Sequence, residues 1–180
     1  MNIENVLKQV MYSKKEVDFY VPIVTNYEEN KTKNKYVNTS LFHYHLFNKK
    51  DSFIEILINK SNKKIVNLNL ISINDVNKNI EIDKKIHEIP CILGNPIINT
   101  NIFKDEDIFE EKKDFDIVIN NRKIYIFLDF KNIAKRIIMG DVEVLIDNQN
   151  NITGYIFINF SNEEWNEISE ILESKKIYIK

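Results

Sequence analysis

Apolar residues recur along this chain with two different periods. Near the start, Ile3, Val6, Leu7, Val10 and Met11 follow the i, i+3, i+4, i+7, i+8 spacing of an amphipathic helix, which predicts a short helix over about residues 3 to 12. Val17, Phe19, Val21 and Ile23 then alternate with Glu16, Asp18, Tyr20 and Pro22, the pattern of a strand, and Pro22 favours an edge position because it cannot donate to a ladder. The polar stretch from Asn26 to Lys35 reads as a loop. Three β-rich runs follow, Tyr36 to Phe47, Ser52 to Asn59 and Lys64 to Ile73, separated by turn-forming polar residues, so a meander is the simplest topology. From Asn74 to Phe103 the pattern breaks, in a segment holding Pro90 and Pro96 that is either a packed excursion or a functional loop.

The second half is clearer. Phe115, Ile117 and Ile119, then Ile124, Ile126, Leu128 and Phe130, predict a hairpin turning at Asn120-Asn121-Arg122. Val142, Val144 and Ile146, then Ile156, Ile158 and Phe160, predict another around Asn148 to Thr153. At Ser161 the period changes. Ser161 with Glu164 makes a capping box, Phe160 and Trp165 stand at hydrophobic-staple positions, and Trp165, Ile168, Ile171 and Leu172 form a helical stripe. The tail Ile177 to Ile179 has the composition of a last short strand. No internal repeat beyond the two hairpins is visible, and no domain boundary.

These elements predict a single α+β domain over residues 1–180. Its mainly antiparallel sheet has seven to nine strands built from meanders and hairpins, with helices near both termini packed on one face. Strand following strand without crossover helices excludes a doubly wound parallel sheet. Ile, Asn and Lys dominate the composition, which reduces the weight that any one asparagine can carry.

The formal charge of −2, from 25 basic and 27 acidic side chains, argues against a nucleic-acid partner. A single cysteine, Cys91, excludes an internal disulfide framework. With three glycines, Gly94, Gly140 and Gly154, neither GxGxxG nor GxxxxGK[ST] occurs. No signal peptide or membrane span is apparent, which predicts a cytoplasmic location and no membrane partner.

Candidate chemistry comes in four groups. Asp116, Asp129 and Lys131 have the D…[DE]-x-K form of the PD-(D/E)XK nuclease superfamily, in which two carboxylates hold a divalent metal and the lysine polarises water. The acidic segment before them would repel phosphate, and the long helix that normally follows the lysine strand is reduced to Asn132 to Met139, so this stands second. His43 and His45 share one strand face, and His87 and Cys91 form an HxxxC, a set of zinc-binding atoms. An exposed strand face accounts for the first two without a metal, and no metal or cofactor is expected. Asp105, Glu106, Asp107, Glu110 and Glu111 crowd one segment, and Glu163 and Glu167 lie on the outer face of the last helix, acidic groups suited to steering a basic partner. Tyr125 and Phe127, on the polar face of the first hairpin, are candidate aromatic anchors for that partner.

The stretch GDVEVLIDNQNNITGYIFINFSNEEWNEISEIL, Gly140 to Leu172, resembles the closing unit of small immunity proteins of bacterial polymorphic toxin systems, including those of contact-dependent growth inhibition. An alternating strand ends there in an acidic, Asn-rich turn, a second strand follows, and a helix opens on Ser-Asn-Glu-Glu. The likeness covers about a fifth of the chain. It implies a cytoplasmic protein without enzymatic activity or catalytic residues that binds and blocks one cognate toxin, frequently a basic nuclease.

Overall fold

The computed structural model describes residues 1–8, 12–28, 40–77 and 82–175. Residues 9–11 of the expected N-terminal helix, 29–39 (most of the expected loop and the start of the next run) and the expected strand Ile177 to Ile179 lie outside these.

The chain is mostly β, which corrects the expected α+β class. Its strands are β1 (Ile3–Leu7), β2 (Tyr12–Glu16), β3 (Ile23–Glu28), β4 (Leu41–Phe47), β5 (Phe53–Asn59) and β6 (Ile65–Ser72). After the six-residue helix α1 (Ile82–His87) come β7 (Cys91–Leu93), β8 (Asn95–Ile98), β9 (Ile108–Lys112), β10 (Asp116–Asn120), β11 (Lys123–Phe127), β12 (Lys135–Met139), β13 (Val142–Ile146) and β14 (Ile152–Phe157). The helix α2 (Asn162–Ser174) follows. Instead of one sheet of seven to nine strands, the described residues form two six-stranded sheets and a two-stranded ribbon, β1 with β8. Among the described residues no helix is long and apolar enough to cross a membrane.

The expected N-terminal helix is strand β1. Two residues of β1 oppose one of β8 between Ile3 and Asn5, a bulge that shifts the alternation so that Ile3 and Val6, three apart, both turn toward the core. That spacing of three imitates a helix. The expected strand at Val17 to Ile23 is largely a turn: Asp18 Oδ1 accepts from the Tyr20 N–H at 2.8 Å, leaving Phe19 exposed. The segment from Asn74 to Phe103 is a packed excursion carrying α1, β7, β8 and a 3₁₀ turn at Thr100–Phe103.

The two large sheets share one topology over five antiparallel strands, and their parallel edge strands come from different places in the chain, β9 after its meander and β7 before its hairpin. The first runs β2-β3-β6-β5-β4-β9 and the second β10-β11-β14-β13-β12-β7. Each is a hairpin followed by a three-strand meander whose last strand returns beside the hairpin, and each ends on a parallel strand, β9 on β4 and β7 on β12. A helix follows each meander. The registers agree residue by residue: Tyr44 opposes Ile56 and Leu68 in turn opposes Ile56, while Ile137 opposes Val144 and Tyr155 opposes Val144. Ile54-Glu-Ile-Leu-Ile-Asn59 therefore matches Val142-Glu-Val-Leu-Ile-Asp147. Each segment ends in the same side-chain turn, Asn59 Oδ1 accepting from the Ser61 N–H (2.9 Å) and Asp147 Oδ1 from the Gln149 N–H (2.8 Å). The chain is an internal structural duplication, where the sequence pattern shows only two hairpins.

The inner faces of both sheets form one core, with Ile54, Ile56, Ile58, Leu68 and Leu70 from the first and Ile117, Ile126, Val144, Tyr155 and Phe157 from the second. The outer faces differ. In the second sheet Val118, Tyr125, Phe127, Leu145 and Ile156 are buried with Ile86 of α1. In the first, the positions matching Tyr125, Phe127 and Ile156 hold Val24, Asn26 and Asn69. The rest of that face presents His43, His45, Glu55 and Leu57.

Candidate functional site

The acidic segment does not act as one patch. Strand alternation along β9 sends Glu110 to the outer face and Glu111 inward, where it accepts a hydrogen bond from the Tyr44 hydroxyl. Burial and that bond push the Tyr44 hydroxyl far above its ordinary pKa. Asp107 pairs with Lys60. Asp105 and Glu106 are exposed, in the turn before β9.

Tyr125 and Phe127 are not surface anchors. They are stacked at 5.8 Å on the outer face of the second sheet, with 0% and 5% exposure, in the cluster that Ile86, Ile89 and Ile133 cover. The polar face predicted for that hairpin is a second core. Exposed aromatics stand elsewhere: Phe19 and Tyr20 are 55% and 85% exposed, edge to face at 5.7 Å, in the β2–β3 connection. Val17, Asp18 and Phe19 share a shallow cleft with Glu167, Glu170 and Ile171 of α2. Glu163 lies one turn before Glu167, also exposed. The helix starts where the capping box predicts: Glu164 N–H donates to Ser161 Oγ (3.1 Å) and Ser161 N–H to Glu164 Oε2 (2.7 Å). Sequence reading missed Phe19 and Tyr20 by counting them into a strand; the Asp18 turn signal two residues before Tyr20 is the clue that was available.

The nuclease-like set is put to structural use. The hairpin does turn at Asn121-Arg122, both with positive φ, and Asp116 opposes Phe127. Asp129, however, caps a 3₁₀ turn over Phe130–Asn132, its oxygens accepting from Lys131 N–H (3.1 Å) and Asn132 Nδ2 (2.7 Å). Lys131 lies inside that turn instead of on a strand beside the carboxylates.

The four zinc-type residues separate. His87, at the end of α1, meets Lys123 at 3.1 Å, and Cys91 is exposed on β7, both at the second sheet. His43 and His45 lie on the outer face of the first sheet, where β5 brings Glu55 directly opposite His45. Glu55 Oε1 stands 3.4 Å from His43 Nδ1 and 3.3 Å from His45 Nε2, and Glu55 Oε2 accepts from Asn69 Nδ2 at 3.2 Å. On the other side, His45 Nδ1 is 3.7 Å from Glu110 Oε1. Among the described residues, His43, His45 and Glu55 are the group whose donor atoms converge, all within 4.8 Å. Sequence pattern could place the two histidines on one face; Glu55 enters only through the cross-strand register.

Compared with known proteins, the chain matches no family model. No curated protein matches it.

Proposed function

We propose that this chain is a toxin immunity protein, which binds a cognate basic toxin domain in the cytoplasm, a nuclease being the simplest basic candidate, and neutralises it by occlusion. The observation that carries this reading is the exposed pair Phe19 and Tyr20 beside the acidic face of α2. A Tyr side chain left 85% exposed at the tip of an anchored turn has the character of an interface hot spot. Glu167 and Glu170 border it with negative charge suited to a cationic partner. The immunity-like stretch Gly140 to Leu172 comprises β13, β14 and α2, so it contains the helix that forms one wall of the cleft. The role asks for no catalytic group.

The test begins with the neighbouring genes. The gene immediately upstream is expected to encode a large secreted protein with a variable C-terminal domain. Expressed alone, that domain should arrest growth, and co-expression of this chain should restore it. Co-expression of the Phe19→Ala, Tyr20→Ala double variant should not. A purified toxin domain that binds neither form, or a neighbourhood without any such gene, removes the proposal.

A further inference from the structure

We infer that His43, His45 and Glu55 form a divalent transition-metal site, of the type that takes zinc, on the open face of the first sheet. The inference stands apart from the immunity reading, since it rests on side-chain geometry within this chain alone.

In a tetrahedral zinc centre with bonds of about 2.0–2.1 Å, neighbouring donor atoms stand about 3.3–3.4 Å apart. Glu55 Oε1 lies 3.4 Å from His43 Nδ1 and 3.3 Å from His45 Nε2. As direct hydrogen bonds these contacts are long, since a charge-assisted N–H···O bond closes to about 2.7–2.9 Å. Two of the donor–donor distances therefore have the length of a tetrahedral edge, and all three donors lie within 4.8 Å of one another.

A metal-binding imidazole commonly turns its other nitrogen to a carboxylate, and metal-binding carboxylates are themselves hydrogen-bonded. His45 has Nε2 toward Glu55, and its Nδ1 lies 3.7 Å from Glu110 Oε1 on β9, an ion-pair distance longer than a hydrogen bond. Asn69 on β6 donates to Glu55 Oε2, leaving Oε1 toward the histidines. Asn69 is only 6% exposed, so the amide that orients Glu55 is itself held in place by burial. His43 keeps 37% of its side chain exposed and His45 17%, so the site is reachable yet partly dehydrated.

In the duplicated fold the positions of His43, His45 and Glu55 correspond in the second sheet to Arg136, Ile138 and Glu143. There Arg136 Nη1 binds Glu143 Oε2 at 2.7 Å, and Arg136 Nε donates to the Ile89 carbonyl oxygen. The diagonal pair that joins those two strands is built from Arg and Glu. The open sheet has instead two nitrogen ligands around the same carboxylate. Three protein donors leave a fourth position for water.

The experiment is titration calorimetry of the full chain, with any purification tag removed, using Zn²⁺ alone, and a parallel titration with Co²⁺ followed by its visible absorption. One ion per chain with micromolar or tighter affinity is expected, with a tetrahedral-type Co²⁺ spectrum. Glu55→Gln and His45→Ala should each weaken binding at least tenfold, and Asn69→Ala about tenfold. His87→Ala and Cys91→Ser should leave it unchanged. If His45→Ala fails to fold, the near-isosteric Glu55→Gln decides. Binding that is not saturable at one ion per chain, that survives Glu55→Gln, or that disappears in Cys91→Ser overturns the inference. No partner protein enters the assay, so its failure would leave the immunity reading where it stands.

Discussion

Glu55 and Glu143 occupy the same position in the two halves of the duplicated fold, each on the middle strand of its meander, facing outward, and each diagonal to a cationic or protonatable residue on the preceding strand. Their surroundings have diverged. Glu143 is buried with Arg136, the two side chains 10% and 9% exposed, whereas Glu55 lies on the outer face of the first sheet with a 22% exposed side chain.

Glu143→Ala leaves the Arg136 guanidinium buried with the Ile89 carbonyl oxygen as its remaining hydrogen-bond acceptor. Breaking a buried pair from one side typically costs about 3–5 kcal/mol. Glu55→Ala, at the equivalent but more exposed place, is expected to cost about 1 kcal/mol or less. Urea unfolding of the two variants measures both, and equal losses would show that the difference in burial does not separate the sites.

Gly154 gives a second contrast between the halves. A Cβ there would run into the Ile126 carbonyl oxygen and come within 3.2 Å of Leu145 Cδ1, both in elements packed on either side of β14. Gly154→Ala should destabilise by about 1–3 kcal/mol through overpacking. Asn67, the matching residue of the first sheet, is partly exposed and already carries a side chain. Asn67→Ala should cost less than Gly154→Ala in the same assay.

The alkaline limit of stability follows from buried phenols, among them those of Tyr27, Tyr44 and Tyr155. Burial holds the hydroxyls of Tyr27, Tyr44 and Tyr155 above their ordinary pKa near 10.0. The folded chain therefore keeps protons that the unfolded chain releases. This contribution is fully present below pH 10 and declines as pH rises above it, by up to about 1.4 kcal/mol per pH unit for each tyrosine. Lys15 has the opposite sign: burial against Ile158 O and the Phe160 ring lowers its pKa from 10.5, so its effect favours the fold as pH approaches 10.5 and then ceases to change. Unfolding free energies should thus fall steeply beyond about pH 10.5. Absorbance titration should show these three tyrosines ionising only with unfolding. Ionisation of all the tyrosines in one step near pH 10, with the fold intact, would contradict their burial.

Local signals in the sequence were legible because local chemistry fixes them. The Asn121-Arg122 turn and the Ser161–Glu164 capping box depend on residues within a few positions of one another. The duplication was hidden because its strongest surviving match is the short Ile54–Asn59 and Val142–Asp147 pair, while the outer faces changed with their exposure, Asn69 against Ile156 and His45 against Ile138. Tyr125 and Phe127 looked like surface aromatics because nothing local announces that α1 covers them. Strand β1 imitated a helix because a bulge replaced period two by a step of three. For the site, period two reported that His43 and His45 share a face, but the positions of Glu55 and Glu110 depend on strand pairing, and parallel pairing to a strand more than sixty residues away has no local signature.

Docking at the Phe19–Tyr20 turn makes separate kinetic demands on its charged and aromatic parts. Glu167→Lys with Glu170→Lys should slow association with the basic toxin domain about tenfold at low salt, an effect that shrinks as added salt shortens the Debye length from about 30 Å toward 3 Å. Phe19→Ala with Tyr20→Ala removes contact area without changing charge, so it should act on dissociation and leave the association rate nearly unchanged. Both aromatics are exposed, and thermal melting of that variant should match the parent. Asp105→Lys with Glu106→Lys is the discriminating control, because these carboxylates have the same sign but sit in the turn before β9, at the other end of the first sheet's strand order from β2. If that control slows association and the α2 variant does not, the interface lies along β9. If only the α2 variant does, steering is local to the cleft where Phe19 meets Glu167 and Glu170.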